Sequence, residues 1–324
     1  MSQKKTFLLI DGHAVIYRAF YAFPKQLTDP TGRLMNAVFG FSRIVLTAIR
    51  NFGPEYIAVT FDHPKPSFRK KDFADYKAHR EEMPDELKPQ IEIIKEVVKA
   101  LNIPQYEIEG YEADDLIGTV SRKIDEIANK KPKQVKAKDK IYTQVLTIIV
   151  TGDQDTFQLV DNNTHVWLPG RGKRQQDKEY DAEDVKGKIG VGPEKVIDLK
   201  ALMGDSSDNI PGVKGVGPKT ALKLLEAFGD LDGVYQAVES GEAEKSFREN
   251  LINKLKQDKD NAYLSKQLAT IDINVPLEFD LPACKVSGYD KTKAVEIFKK
   301  LDFNSLLQLL PEDEFENLVQ DTLF

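Results

Sequence analysis

The sequence predicts an α/β chain, a doubly wound and mostly parallel sheet followed by a helical C-terminal region. Three observations predict it. Short apolar runs alternate with segments of helical periodicity through the first half, as in chains whose strands are buried on both faces. From about Asp181 onward the pattern becomes almost entirely helical. A length of 324 residues allows one large core and a smaller extension. The expected division is residues 1–180, residues 181–310 and a tail at 311–324.

The strand-like runs are 6–10 (TFLLI), 56–61 (YIAVTF), 106–108 and Val145–Val150. Helical patterns fill 36–51, 89–101 and 114–128 between them, the alternation of βαβ units. Residues 130–140 (KKPKQVKAKDK) have one Pro and almost no apolar residue, so an exposed loop is expected. Hydrophobic residues at 41% and charged residues at 30% fit a globular chain and argue against disorder. No apolar run approaches the ~20 residues of a membrane span. Residues 1–5 lead straight into a strand-like run, so no signal peptide is expected. Cys284 is the only cysteine, which excludes an intrachain disulfide and makes a reducing cytoplasm the expected location.

A net charge of -6 argues at first against a nucleic-acid partner. The distribution matters more. Bound cations would cancel acids that act as metal ligands, and basic residues cluster at 68–80 and 130–140. Either cluster alone also reads as a solvated face.

The acids fall where such a sheet would gather them. Asp11 follows TFLLI, Asp62 follows YIAVTF, and Asp153 and Asp155 follow VLTIIVTG; Glu112, Asp114 and Asp115 open a helix after YEIEGY. In an open parallel sheet the carboxyl ends of the strands share one edge, where the crevice forms. Carboxylates crowded there repel unless cations sit among them, and hard oxygen donors suit Mg2+ or Mn2+. Each segment has a plainer account. Glu112, Asp114 and Asp115 also suit a helix N-terminus. Asp11-Gly12 and Thr151-Gly152-Asp153 also suit ordinary turns. Four segments ending alike favour a shared site, and Asp205 and Asp208 add a pair in LMGDSSDNIPG.

Residues 210–229, IPGVKGVGPKTALKLLEAFG, read as the Gly-rich turn and second helix of a helix-hairpin-helix spanning about 194–229. Gly212, Gly215 and Gly217 let backbone approach a ligand closely, and a helix beginning near Lys219 and Thr220 can turn its N-terminus to a phosphate. With Val213, these residues form a device that holds a DNA backbone without reading its sequence.

Taken together, LLIDGHAVIYRAFYAF, VTFDHPKPSFRKKDFADYKAHR, EGYEADDLIG, VTGDQDTFQLV and GDSSDNIPGVKGVGPKTA resemble the 5′ nuclease family, meaning the 5′→3′ exonuclease domain of bacterial DNA polymerase I and the flap endonucleases. The resemblance runs to about residue 230 and persists more weakly to LDFNSLLQLL. It implies a two-metal phosphodiesterase acting on DNA 5′ ends, flaps and nicks and on RNA-primed DNA, in primer removal and excision repair. Asp11, Asp62, Glu112, Asp114 and Asp115 would serve one metal, and Asp153, Asp155, Asp205 and Asp208 the other, some through water, with the ions ~4 Å apart. It implies a helical arch over about 64–89. There Lys77 and Arg80 would contact phosphates near the cut, Tyr76 would stack on an unpaired base, and Arg69 and Lys70 would add phosphate contacts. On such a helix Tyr76 and Arg80 would share a face; a solvated helix is the alternative. The resemblance also implies a K+ held by hairpin carbonyls. His13, His63 and His79 are read as packing or hydrogen-bonding residues, since a carboxylate site requires no His.

The chain ends in QDTLF, which is similar to the Gln-x-x-Leu-Phe peptides that dock on the bacterial sliding clamp. Leu323 and Phe324 would fill an apolar pocket and Gln320 would make a polar contact. An amphipathic tail packed on its own domain, or a fragment boundary, are the alternatives. A native end of this kind argues for a protein that stands alone, without a fused polymerase, and a monomer is expected. The competing readings are the 5′ nuclease domain of a DNA polymerase I, a non-catalytic DNA-junction binding module, and an RNA-cutting nuclease with a similar core. Every acidic position expected of an active enzyme is filled.

Overall fold

Six strands among the described residues form one sheet: β1 (Lys5–Asp11), β2 (Tyr56–Thr60), β3 (Gln105–Tyr106), β4 (Val145–Val150), β5 (Thr164–Leu168) and β6 (Lys178–Tyr180). Their order is β3-β2-β1-β4-β5-β6, parallel except for β6, which runs antiparallel to β5. The computed structural model describes residues 5–128, 144–170, 176–286 and 290–312. The expected loop at 130–140 and the clamp-docking residues Gln320, Leu323 and Phe324 lie outside them.

β1 carries the logic of the sheet. Its side chains alternate across the two faces, so Phe7 and Leu9 enter one core while Leu8 and Ile10 enter the other. The second core is closed by α1 (Gly12–Ala22), α2 (Asn36–Phe52) and α4 (Lys88–Ala100), reached past the short α3 (Phe68–Asp72). The first is closed by α5 (Ala113–Ala128) and by the helices that follow the sheet. Burial on both faces is why β2 reads YIAVT with all five residues buried. Each buried Leu, Ile or Phe contributes roughly 1.5–3 kcal/mol.

The helical region comprises α6 (Ala182–Ile189), α7 (Val196–Met203), α8 (Pro218–Phe228), α9 (Leu231–Ser240), α10 (Glu249–Gln257) and α11 (Lys259–Ala269). α12 (Lys291–Lys300) turns back to the sheet, where Phe298 and Leu306 join the core of α2 and α4. Strand order reverses at β1, whose neighbours β2 and β4 lead off in opposite directions. A crevice outside the strand ends is expected at that switch point.

Three expectations need correction. The 64–89 segment is not a continuous helical arch: α3 spans five residues and residues 74–79 are turns. Lys77 sits at φ 55°, outside helical space, so Tyr76 and Arg80 share no helix face. β5 and β6 were not anticipated, because one follows a polar DNNT and the other is the charged edge segment KEY. α1 was also missed; it starts directly on β1, with the Asp11 carboxylate accepting from the Ala14 N–H as its cap.

Candidate active site

The acids arrive on strand ends and helix starts. Asp11 ends β1, accepting from Ala14 N at 3.0 Å and from the Thr151 hydroxyl at 2.6 Å. Thr151 follows β4 directly, so this bond ties two neighbouring strand ends together. Asp62 lies two residues past β2; its N–H donates to His13 Nδ1 and its carboxylate accepts from Ala113 N at the start of α5. Beyond β4, the Asp155 N–H donates to Asp153 Oδ1 at 2.9 Å, folding the turn that presents both acids. Asp205 and Ile210 exchange two backbone hydrogen bonds, a tight turn that holds Asp205 beside α7.

These elements enclose a cleft of about 1380 Å³ lined by Asp11, Asp62, Glu112, Asp114, Asp153, Asp155 and Asp205. Four cations line it too: Arg18, Lys77, Arg80 and Lys200. Lys77 donates to Glu112 at 2.7 Å. Lys200 donates to Asp205 at 2.7 Å and to Asp155. Lysine nitrogens thus lie between carboxylates, and no three His, Cys, Asp or Glu among the described residues are close enough to enclose an ion as they stand.

The electrostatics report a shortage of positive charge. Burial pushes the Asp11 carboxyl up to about 7, against the Thr151 and Ala14 hydrogen bonds, with Asp62 and Asp153 adding to the rise. Burial and the charges of Asp11 and Asp153 drive Asp114 well above the carboxylate range. Asp155 also reaches about 7, through burial and the adjacent Asp153. Asp205 shares Lys200 with Asp155 yet is held at about 2. It too is pushed up by burial, but the Lys200 charge and hydrogen bond and those from Ser207 prevail. One ammonium cannot satisfy both acids equally, and the less buried one wins. All-oxygen donors lacking compensating charge fit hard divalent cations such as Mg2+ or Mn2+.

Several expected site residues stand elsewhere. Asp115 is fully buried and takes two hydrogen bonds from Arg69, at 2.7 and 2.8 Å. Arg69 also donates to the Leu268 and Thr270 carbonyls and is 3% exposed. The pair staples α3 to α5 and α11, so Arg69 is no surface phosphate contact and Asp115 does not line the cleft. Lys70 donates to the Tyr76 carbonyl, fixing the turn. Tyr76 is 4% exposed, packed with Ile210 and Leu268, with its hydroxyl on Glu112 and Asp208, so no base can stack on it. Asp208 is likewise buried and grips Arg80 at 2.6 Å. It positions a cation that lines the cleft and does not line it itself. His13 behaves as expected, packing edge-on against Phe61. Sequence reasoning missed Lys200, which looks like any other lysine of a helix.

The hairpin runs from α7 through residues 204–217 into α8. Gly212 lies at φ 61°, and a Cβ there would meet Gly204 N at 2.2 Å; no other residue fits. Gly212 and Val213 are internal, donating to Ser265 Oγ and the Leu202 carbonyl, which corrects their place as ligand contacts. Gly215 and Lys219 are exposed, and Gly217 and Thr220 half-buried. The N–H groups of Gly215 and Gly217 have no partner among the described residues. Free donors at the start of α8 suit an anion.

Two family models match. The 5'-3' exonuclease N-terminal resolvase-like domain covers residues 6–190, and the 5'-3' exonuclease C-terminal SAM fold covers 191–292. The chain belongs to the 5'-3' exonuclease family. This family member is 39% identical over 316 residues to DNA polymerase I of Bacillus subtilis (strain 168), an alignment taking in 98% of the chain and 33% of the polymerase. The chain therefore spans about a third of the length of that relative. In structure it is similar to the bacteriophage T5 flap endonuclease in complex with DNA and metal ions, with TM-score 0.62 at 18% identity over 92% of this chain and 100% of that one. It is also similar to flap endonuclease-1 from Methanococcus jannaschii, with TM-score 0.57 at 17% identity over 98% and 94%. At those identities the likeness is one of fold. Among the described residues no helix is long and apolar enough to cross a membrane.

Proposed function

We propose that this chain hydrolyses phosphodiester bonds of DNA near 5′ ends and at 5′ flaps, and of RNA-primed strands, as the nuclease of a replication and repair system. One observation carries this: seven carboxylates from distant stretches line a single cleft, and three of them, Asp11, Asp114 and Asp155, are buried there without enough compensating charge. Asp11, Asp62, Glu112 and Asp114 would hold one Mg2+ or Mn2+, and Asp153, Asp155 and Asp205 another. When bound, such ions supply a nucleophilic water and charge stabilisation at the phosphate. Asp115 and Asp208 serve from behind, Asp115 by fixing Arg69 and the start of α5, Asp208 by orienting Arg80. Lys77 turns from Glu112 to phosphate oxygens when substrate enters, and Arg80, still held by Asp208, reaches them with its remaining N–H groups, both donating hydrogen bonds that stabilise negative charge there. Gly215, Gly217 and Lys219 hold a backbone phosphate, and the hairpin carbonyls hold a K+. The match to DNA polymerase I supports primer removal as the setting.

Incubating the chain with a 5′-flap duplex tests the reading. Cleavage near the base of the flap that needs Mg2+ is expected. Cleavage unaffected by chelator, or none under any divalent metal, would overturn it.

A further inference from the structure

A phosphate backbone entering a cleft of seven carboxylates is repelled along most of its path. It needs cationic anchors outside the acids, and the hairpin supplies only one set. A second pocket, of about 910 Å³, opens beside the cleft and shares Arg18 and Ala22 of α1 with it. Its rim carries Arg43 and Arg50 of α2, with Thr47 between them. Seven residues apart, the two arginines lie on one helix face roughly 10 Å apart along the axis, a span of about three nucleotides of one strand. Both are exposed, and neither has a hydrogen-bonding or ionic partner among the described residues. Asp177 is the one acid among the described lining residues, and it is occupied by the Gly170 N–H at 2.6 Å. Apolar Phe39, Ile44 and Trp167 line the pocket. Tyr21, 68% exposed, lines the acid cleft and is the chain neighbour of Ala22, which the cleft shares with the pocket.

We propose that this pocket is a second nucleic-acid subsite, in which Arg43 and Arg50 bind backbone phosphates of the substrate strand that leaves the acid cleft past α1, while Tyr21 stacks on a base. The inference rests on the chain's being a DNA nuclease and adds where its substrate is held. Unpaired cations with open forks suit phosphate oxygens. An exposed ring beside a cationic track is the arrangement that holds single-stranded nucleic acid without reading sequence. The hairpin is reached from the cleft through α7 and the arginine pocket through α1, so the two anchors engage different parts of one substrate.

The test uses the full chain and a fluorescent 5′-flap duplex, with binding followed by anisotropy in Ca2+ across a salt series. Arg43→Ala/Arg50→Ala should weaken binding about tenfold and flatten the plot of log affinity against log salt by roughly 1–2, since each lost phosphate contact removes about 0.7–0.9 of slope. Arg43→Lys/Arg50→Lys should keep most of the slope. Tyr21→Ala should weaken binding at least about fivefold with the slope unchanged. A thermal melt matching the parent shows that each variant is folded. An unchanged slope in a folded double-alanine variant overturns the subsite and leaves the nuclease reading intact if the parent still cuts flap DNA. A flattened slope in a chain that cuts nothing upholds the subsite and overturns the reading of the cleft.

Discussion

The acid cleft and the hairpin both face phosphate, and they are built in opposite ways. The hairpin is built on backbone: Gly212 and Val213 have their N–H groups bonded inside the fold, and those of Gly215 and Gly217 have no partner among the described residues. The cleft is not satisfied. Asp11 and Asp155 ionise only near pH 7, and the basic groups that quiet the acids are lysines wedged between them. Backbone geometry can be pre-formed without cost to the fold, whereas a cation site assembled from carboxylates opposes folding until its cations arrive.

The sharpest break between the two regions is Asp114→Asn. It should lower flap cleavage by at least about a hundredfold, the order seen when a single transition-state contact is lost, while anisotropy shows DNA affinity largely intact. Equal loss of both would mean that the acids, not the hairpin, hold the DNA. Gly212→Ala inverts the pattern. Its Cβ has no room beside Gly204, so unfolding should show a loss of about 1–3 kcal/mol and DNA affinity should drop, while Mn2+ titration remains that of the parent. Lys77→Ala should reduce turnover roughly tenfold or more at saturating DNA, with a smaller change in affinity. A loss confined to affinity would make it an anchor.

Asp11→Asn sharpens the comparison through pH. A carboxyl raised from about 4 unfolded to about 7 folded favours the unfolded chain once that form ionises. Its destabilisation is absent below pH 4, grows from pH 4 to 7 and is then constant. Asn keeps the helix cap of α1. In chelator the variant should match the parent near pH 4 and exceed it by a few kcal/mol at pH 8. Denaturant melts across that window check this; a constant difference would remove burial of Asp11 as the cause.

The strand ends were legible because an apolar run buried on both faces must stop where it meets the crevice, and the acid that follows marks the spot. The hairpin was legible because its glycines are dictated by backbone. Pairings made across the fold were not legible. FRKKD looks like a solvated cluster, yet Arg69 meets Asp115 and two carbonyls nearly 200 residues on. Tyr76 sits among charges in sequence and among Ile210 and Leu268 in space. Lys200 takes its meaning from Asp155 and Asp205, one of them on another element. The arch expected over 64–89 came from resemblance, and the positive φ of Lys77 shows that the local chain does not form it.

Calorimetric titration of the chelator-stripped chain with Mn2+ at pH 7.5 bears most directly on all of this, because it asks the carboxylates alone whether they form a cation site. Two ions per chain should bind, releasing protons as the raised acids ionise. No Mn2+ bound at any concentration reached, or binding that persists undiminished in Asp114→Asn and Asp155→Asn, would contradict the account.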